Sequence, residues 1–477
     1  MFINKKIKYV GIITISLAFT GCVPSLQVIK NEVKSSPDSY NNSQDSTNSA
    51  NLNWREYFTD QSLIGLIDTA LVNNQDLNII LQEINVAKAE VTRKKGEYLP
   101  FMNVQGATGV EKAARYTRDG AVDATTDIEP GKKIPEVLPN SMLVANASWE
   151  VDIWRKLRNA RDAQISRYLA SVDGKNFMVT NLIAEIANSY YELLALDSQL
   201  DILKNTITIQ QNALEIVKME KKAAKVTELA VRKFEAEVFK NQSRQFFIQQ
   251  QIIETENEIN FLLGRYPQPI SRGFTGFNTL QPNNVSAGLP AQLLDNRPDV
   301  KQAELELAAA KLEIKVAKAN FYPSLKLNAG VGLQAFNPSY LIKSPESMLF
   351  NTAGDLVAPV INRKAIKATY YSANANQIQA LYNYEKTILN AFLEVTNKMS
   401  NIYNLEQSYA LKEKQVEALT RSITISNFLF KSARADYMEV LMTQRDALEA
   451  KFELIETKKK QMHAMVNVYK SLGGGWK

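Results

Sequence analysis

The sequence predicts a mainly α-helical chain that also supplies strands to a transmembrane β-barrel. Three observations carry this. The chain contains one plan twice. Each copy has two segments of roughly ten residues in which apolar and polar side chains alternate. Each copy then runs into long apolar seams at 3-4 spacing, the pattern of a coiled coil. With 19 Gly and 15 Pro among 477 residues, few positions interrupt a helix. No stretch after the N-terminus approaches the ~18 consecutive apolar residues of a spanning helix.

Lys5, Lys6 and Lys8 open the chain, followed by the apolar run from Tyr9 to Phe19. Such a run has signal-peptide length and is too short to span a bilayer. It ends at Thr20-Gly21-Cys22, and Cys22 is the only cysteine. Small residues before a lone cysteine at this point resemble the lipobox of bacterial lipoproteins. That implies cleavage after residue 21 and acylation of Cys22. The competing reading is a plain secretory signal, but a lone free thiol is unwelcome in an oxidising compartment. Val23 is not the Asp that retains many lipoproteins at the inner membrane, so outer-membrane sorting is expected. Residues 22–53 read as a tether: Ser35 to Asn53 has almost no apolar side chains and is expected to be flexible. The body is expected to begin near Trp54.

Setting Asp76 on Asp299 aligns Glu83 with Glu306, Ala87 with Ala310, Lys88 with Lys311, Glu90 with Glu313, Lys95 with Lys318 and Pro100 with Pro323, without a gap. Beyond those prolines Arg155-Lys156 meets Arg363-Lys364 at an offset shorter by about fifteen residues, so the first copy has a longer connection. The repeats are placed at 54–285 and 286–477. In each, an Asp-started helix (Asp76 to Glu97, Asp299 to Asn320) leads to the shared proline. The period then switches to two. Strands are expected at about 100–110, 142–153, 324–333 and 348–360. Leu325, Leu327, Ala329, Val331 and Leu333 alternate with Lys326, Asn328, Gly330 and Gly332, for example. Helix then resumes. Leu193, Leu196, Leu200, Leu203, Ile207, Leu214 and Val217 keep a seam broken only by Gln210. Ile402, Leu405, Tyr409, Val416, Leu419, Ile423 and Phe430 keep another, broken by Lys412 and Ser426. Each rising helix, of about seventy residues and on the order of 100 Å, is followed by a return helix ending near Leu263-Gly264 or Leu472-Gly473.

Strands of this length with one oily and one wet face cross a bilayer when tilted. Four cannot close a barrel, and an open edge in lipid leaves backbone groups unpaired at several kcal/mol each. An oligomer is therefore required, and a trimer gives about twelve strands, enough for closure.

The formal net charge of +6 is modest and spread over interleaved Lys and Glu, which speaks against nucleic-acid binding. His463 is the only histidine and reads as a surface or seam residue rather than a base or metal ligand. Nothing resembling CxxC, HExxH, a P-loop or GxSxG occurs, so neither an enzyme nor a cofactor is expected.

Trp54, Phe58, Asp60, Leu63 to Ile67, Ala70-Leu71 and Asn74-Gln75-Asp76-Leu77 resemble the opening of the outer-membrane efflux factors, the TolC-like and OprM/NodT-like lipoproteins. So do the stretch from Ser148 to Arg158, Leu293 to Val300, Ala317 to Leu325 and the terminal Leu472-Gly473-Gly474-Gly475-Trp476. The resemblance spans nearly the whole mature chain. It implies a homotrimer with a barrel in outer-membrane lipid and a helical tunnel of matching symmetry below it. A periplasmic adaptor and an inner-membrane efflux transporter would be its partners. The implied function is the exit duct of a tripartite efflux system, with protein secretion or a non-channel, envelope-spanning structural lipoprotein as alternatives. The turns at Ala223 to Leu229 and Ala433 to Met438 resemble the family's hairpin tips, with Ala where Gly is common. Family tunnels are narrowed at this end by inward side chains, which makes Asp436 the first gate candidate and Glu228 the next. Asp436 equally suits the N-cap of the return helix.

Overall fold

The computed structural model describes residues 23–26, 37, 39–40, 46–273, 277–280, 286–361, 363–432 and 434–477. Its elements, in order, begin with α1 (Trp54–Tyr57), α2 (Gln61–Asn73), α3 (Gln75–Tyr98) and β1 (Phe101–Glu111). Then come α4 (Arg118–Asp123), β2 (Asp127–Glu129), β3 (Lys132–Lys133), β4 (Leu138–Val151), α5 (Lys156–Lys222) and α6 (Glu228–Leu262). The second half supplies α7 (Gln292–Asn296), α8 (Pro298–Ala319), β5 (Ser324–Ala335), β6 (Met348–Val357), α9 (Lys364–Lys431) and α10 (Tyr437–Ser471). The sequence helix–strand pair–long helix–return helix thus occurs twice. Compactness does not follow the halves. Of the described residues, one unit comprises those within 1–31, 86–168 and 305–381, the other those within 32–85, 169–304 and 382–477, so each draws on both halves.

The first unit holds an antiparallel sheet in the order β1-β4-β5-β6. The connection from β1 to β4 is longer than that from β5 to β6, and it folds into α4 and the β2-β3 hairpin, which alternation alone had not indicated. Two strand ends fall short of expectation. β4 stops at Val151 because the Asp152 carboxylate turns to accept from the backbone N–H of Leu157 and Arg158, both at 3.0 Å, and so starts α5. β6 stops at Val357, just before Pro359, which has no N–H for a ladder.

The two long helices number 67 and 68 residues, and each begins in the first unit and runs on into the second. The seam residues Leu196, Leu200, Leu203 and Ile207 of α5 pack with Ile248 of α6 and with Leu448 and Phe452 of α10. Further along, Leu214 and Val217 pack with Val231, Phe234 and Val238 of α6 and with Leu441 of α10. A larger core gathers Trp54, Tyr57, Phe58, Leu63 and Ile67 onto Ile183, Ile186, Tyr190 and Leu193, with Met465 and Tyr469 of α10.

Part of the expected tether is packed rather than free. Tyr40 is buried and its ring stacks on Phe392 at 5.3 Å. Asn48 bridges to Ala287, and residues 49–51 form a helical turn capped by the Asn48 side chain. The body therefore begins before Trp54. The Tyr40 ring, the backbone bond from Ser49 N–H to Ser286 O and the side-chain bond from Asn48 Nδ2 to Gln292 Oε1 hold these residues in place. Cys22 lies outside the described residues.

The helix ends share one device. After α6, Gly264 takes φ +66°, with Gly264 N–H donating to Phe261 O and Arg265 N–H to Asn260 O. After α10, Gly473 takes φ +86° with the same bonds. After α5 the left-handed residue is Ala224, at φ 55°, with its own N–H on Lys221 O and that of Lys225 on Glu220 O. An alanine there is strained by about 1 kcal/mol relative to glycine. Ala224→Gly is expected to stabilise this tip by up to about 1 kcal/mol, read as slower amide exchange around residues 222–226. Unchanged or faster exchange contradicts the strain.

Candidate functional site

The sheet has two chemically distinct faces, and the register makes each continuous. Val104, Ala145, Val331 and Phe350 form one row across all four strands. On the same face lie Met102, Leu143, Leu327 and Leu356, and most of these large side chains are exposed. The other face carries amides. Asn103, Asn146, Gly330 and Asn351 form a row. The two amide oxygens of Asn146 and Asn351 converge over Gly330, where a Cβ would stand 2.9 Å and 2.5 Å from them. Charges on this face gather at the ends of β4, β5 and β6 nearest the helices. Glu150 pairs with Lys156, and Lys326 sits opposite both Glu150 and Asp355.

Aromatic groups mark the same level. Trp149 donates through its indole N–H to Tyr98 O at 3.0 Å, and Trp154 to Pro323 O at 2.8 Å. Trp154 also stacks on Tyr322 at 4.6 Å. Amphipathic rings at the foot of apolar-faced strands are the girdle of a membrane barrel. No helix among the described residues is long and apolar enough to cross a membrane. β1 and β6 lie at the two sheet edges with one side unpaired.

At the helical tips, α6 starts at Glu228 and α10 at Tyr437. Asp436 occupies the N-cap position of α10, yet its side chain makes no capping hydrogen bond and the residue is exposed. Neighbouring Tyr437 and Met438 pack against the first hairpin's Val231 and Phe234 cluster. Glu228 differs: it is ion-paired with Lys221 and accepts from Arg232 at 2.8 Å. The sequence singled out both carboxylates but not this difference, which depends on how the chain turns. His463 is largely buried, its Nε2 3.0 Å from Asn188 O, and burial lowers its pKa.

A sheet with one lipid-like face, one wet face and two open edges, on a chain of paired long helices, defines a subunit of an oligomeric outer-membrane channel. The chain belongs to the outer membrane efflux protein family, whose model matches residues 66–265 and 289–474. It is 27% identical over 423 residues to the pyoverdine export outer membrane protein OpmQ of Pseudomonas aeruginosa, covering 89% of this chain and 87% of that protein. It is 26% identical over 468 residues to the cation efflux system protein CusC of Escherichia coli, covering 97% of each. The open-state crystal structure of the Neisseria gonorrhoeae MtrE outer membrane channel superposes with a TM-score of 0.82 at 21% identity, over 96% of this chain and 99% of that one. Members of this family are passive channels, and the chain is not an enzyme.

Proposed function

We propose that three copies join β6 of one sheet to β1 of the next and close a barrel through the outer membrane. The long helices then form a periplasmic tunnel below it. In this reading the protein is the exit duct of a tripartite efflux system, fed by an inner-membrane transporter through a periplasmic adaptor. The observation that carries it is the continuous apolar row on a sheet with two open edges. A structural spacer has no use for such a sheet. The amide-lined inner face suits polar cargo of either charge, which leaves selection to the transporter.

Cys22 is the proposed lipid anchor. Val23 and Leu26, just after it, pack against the cluster of Ala317, Phe321, Tyr370 and Ala373 beside the start of β5, so the anchor would sit at the foot of the barrel.

Asp436 is the proposed gate residue. Threefold symmetry would set three carboxylates around the axis, where they repel one another and draw cations. Asn would keep size and capping ability while removing charge. Asp436→Asn trimers in a planar bilayer are expected to show weaker cation preference and weaker block by divalent cations. Unchanged preference and block would reduce Asp436 to a helix start. Glu228, already paired with two cations, would be the remaining candidate at the tips.

A further inference from the structure

The break in the α5 seam at Gln210 has partners on two other helices. Gln210 follows Ile207 and precedes Leu214 at 3-4 spacing; Asn241 follows Val238 on α6; Gln444 lies between Leu441 and Leu448 on α10. Ile207, Ile248 and Leu448 belong to one apolar cluster, while Leu214, Val238 and Leu441 belong to the next. The three amides therefore occupy the single layer between those clusters. Their exposures are 1%, 1% and 5%. Asn241 Nδ2 donates to Gln210 Oε1 at 2.8 Å. That leaves Gln210 Nε2, Asn241 Oδ1 and Gln444 Oε1 buried without a protein partner.

We infer that these three amides bind one internal water and form a register lock between α5, α6 and α10. The inventory of groups selects the ligand. One NH2 group and two carbonyl oxygens converge on a group that accepts once and donates twice, and water does both. A bare cation would satisfy the oxygens but face the Gln210 N–H. The consequence is positional. Sliding any of the three helices along the seam would bring an amide against Leu214, Ile207 or their partners, burying it among apolar side chains with nothing to bond. A seam of leucines alone would tolerate such slips, whereas one polar layer penalises them.

The lock is a property of one chain and stands apart from the trimer and the efflux reading. The test is thermal unfolding of the full-length protein in detergent for Gln210→Leu, Asn241→Leu and Gln444→Leu, singly and combined. Each single variant strands its partners and is expected to lower the melting temperature by a few degrees. The triple variant replaces the whole layer with apolar groups and is expected to return to the wild-type value or above. Losses that simply add across the three sites would overturn the coupled layer. A high-resolution map of the wild-type protein provides an independent readout that does not depend on any variant folding. It should show one water density within hydrogen-bond distance of all three amides. A dry layer, or Gln444 turned away from the other two, would refute the site.

Discussion

Val104→Arg is expected to abolish assembly into the outer membrane, while Asn103→Arg, its immediate neighbour, leaves assembly intact and alters conductance. Val104 heads the apolar row that runs through Ala145 and Val331 to Phe350, and 74% of its surface is exposed. In a closed barrel that exposure is to lipid. Arginine on the lipid face costs about 2–4 kcal/mol near the bilayer midplane, and a trimer would incur it in each copy. Asn103 heads the amide row with Asn146, Gly330 and Asn351, which the barrel turns toward water. There an arginine is solvated and acts only on passing ions. Heat-modifiable trimer bands in outer-membrane fractions, with bilayer recordings of whichever variant assembles, make the comparison. Equal assembly of both variants would mean the faces have been assigned wrongly.

The second large effect belongs to the anchor. Cys22→Ser is expected to eliminate incorporation of a fatty-acid analogue and to loosen retention in the envelope. A myristoyl-length chain alone binds membranes only marginally, but here the anchor adds to a barrel rather than replacing one. The labelling loss should therefore be complete and the mislocalisation partial. A Cys22→Ser protein that labels as well as the parent would remove acylation from the account.

Much of this architecture could be read before any coordinates. Proline at 100 and 323, Asp at 76 and 299, and glycine at 264 and 473 punctuate the chain where the backbone needs them, so the helix limits fell close to expectation. Alternation, clear at 142–153 and 324–333, weaker at 100–110 and imperfect at 348–360, located the four long strands because their two faces meet different solvents. What escaped was tertiary. Tyr40 looks like one aromatic in a polar segment until Phe392 is found beneath it. The β2-β3 hairpin is too short to carry a period. Gln210 was visible as a flaw in its seam, but Asn241 and Gln444 became its partners only once the packing of three helices was known. At the tips, both carboxylates were legible as charges. That Glu228 is held by Lys221 and Arg232 while Asp436 makes no capping bond depends on the path of each turn.

The most direct test of the central claim is the mass of the wild-type protein purified in mild detergent, measured by mass photometry alongside circular dichroism. Four strands with two open edges cannot persist alone in a membrane. The account predicts a single species of three copies, rich in helix, that forms ion-conducting steps when added to a planar bilayer. A stable monomer with its strand and helix content intact would contradict it.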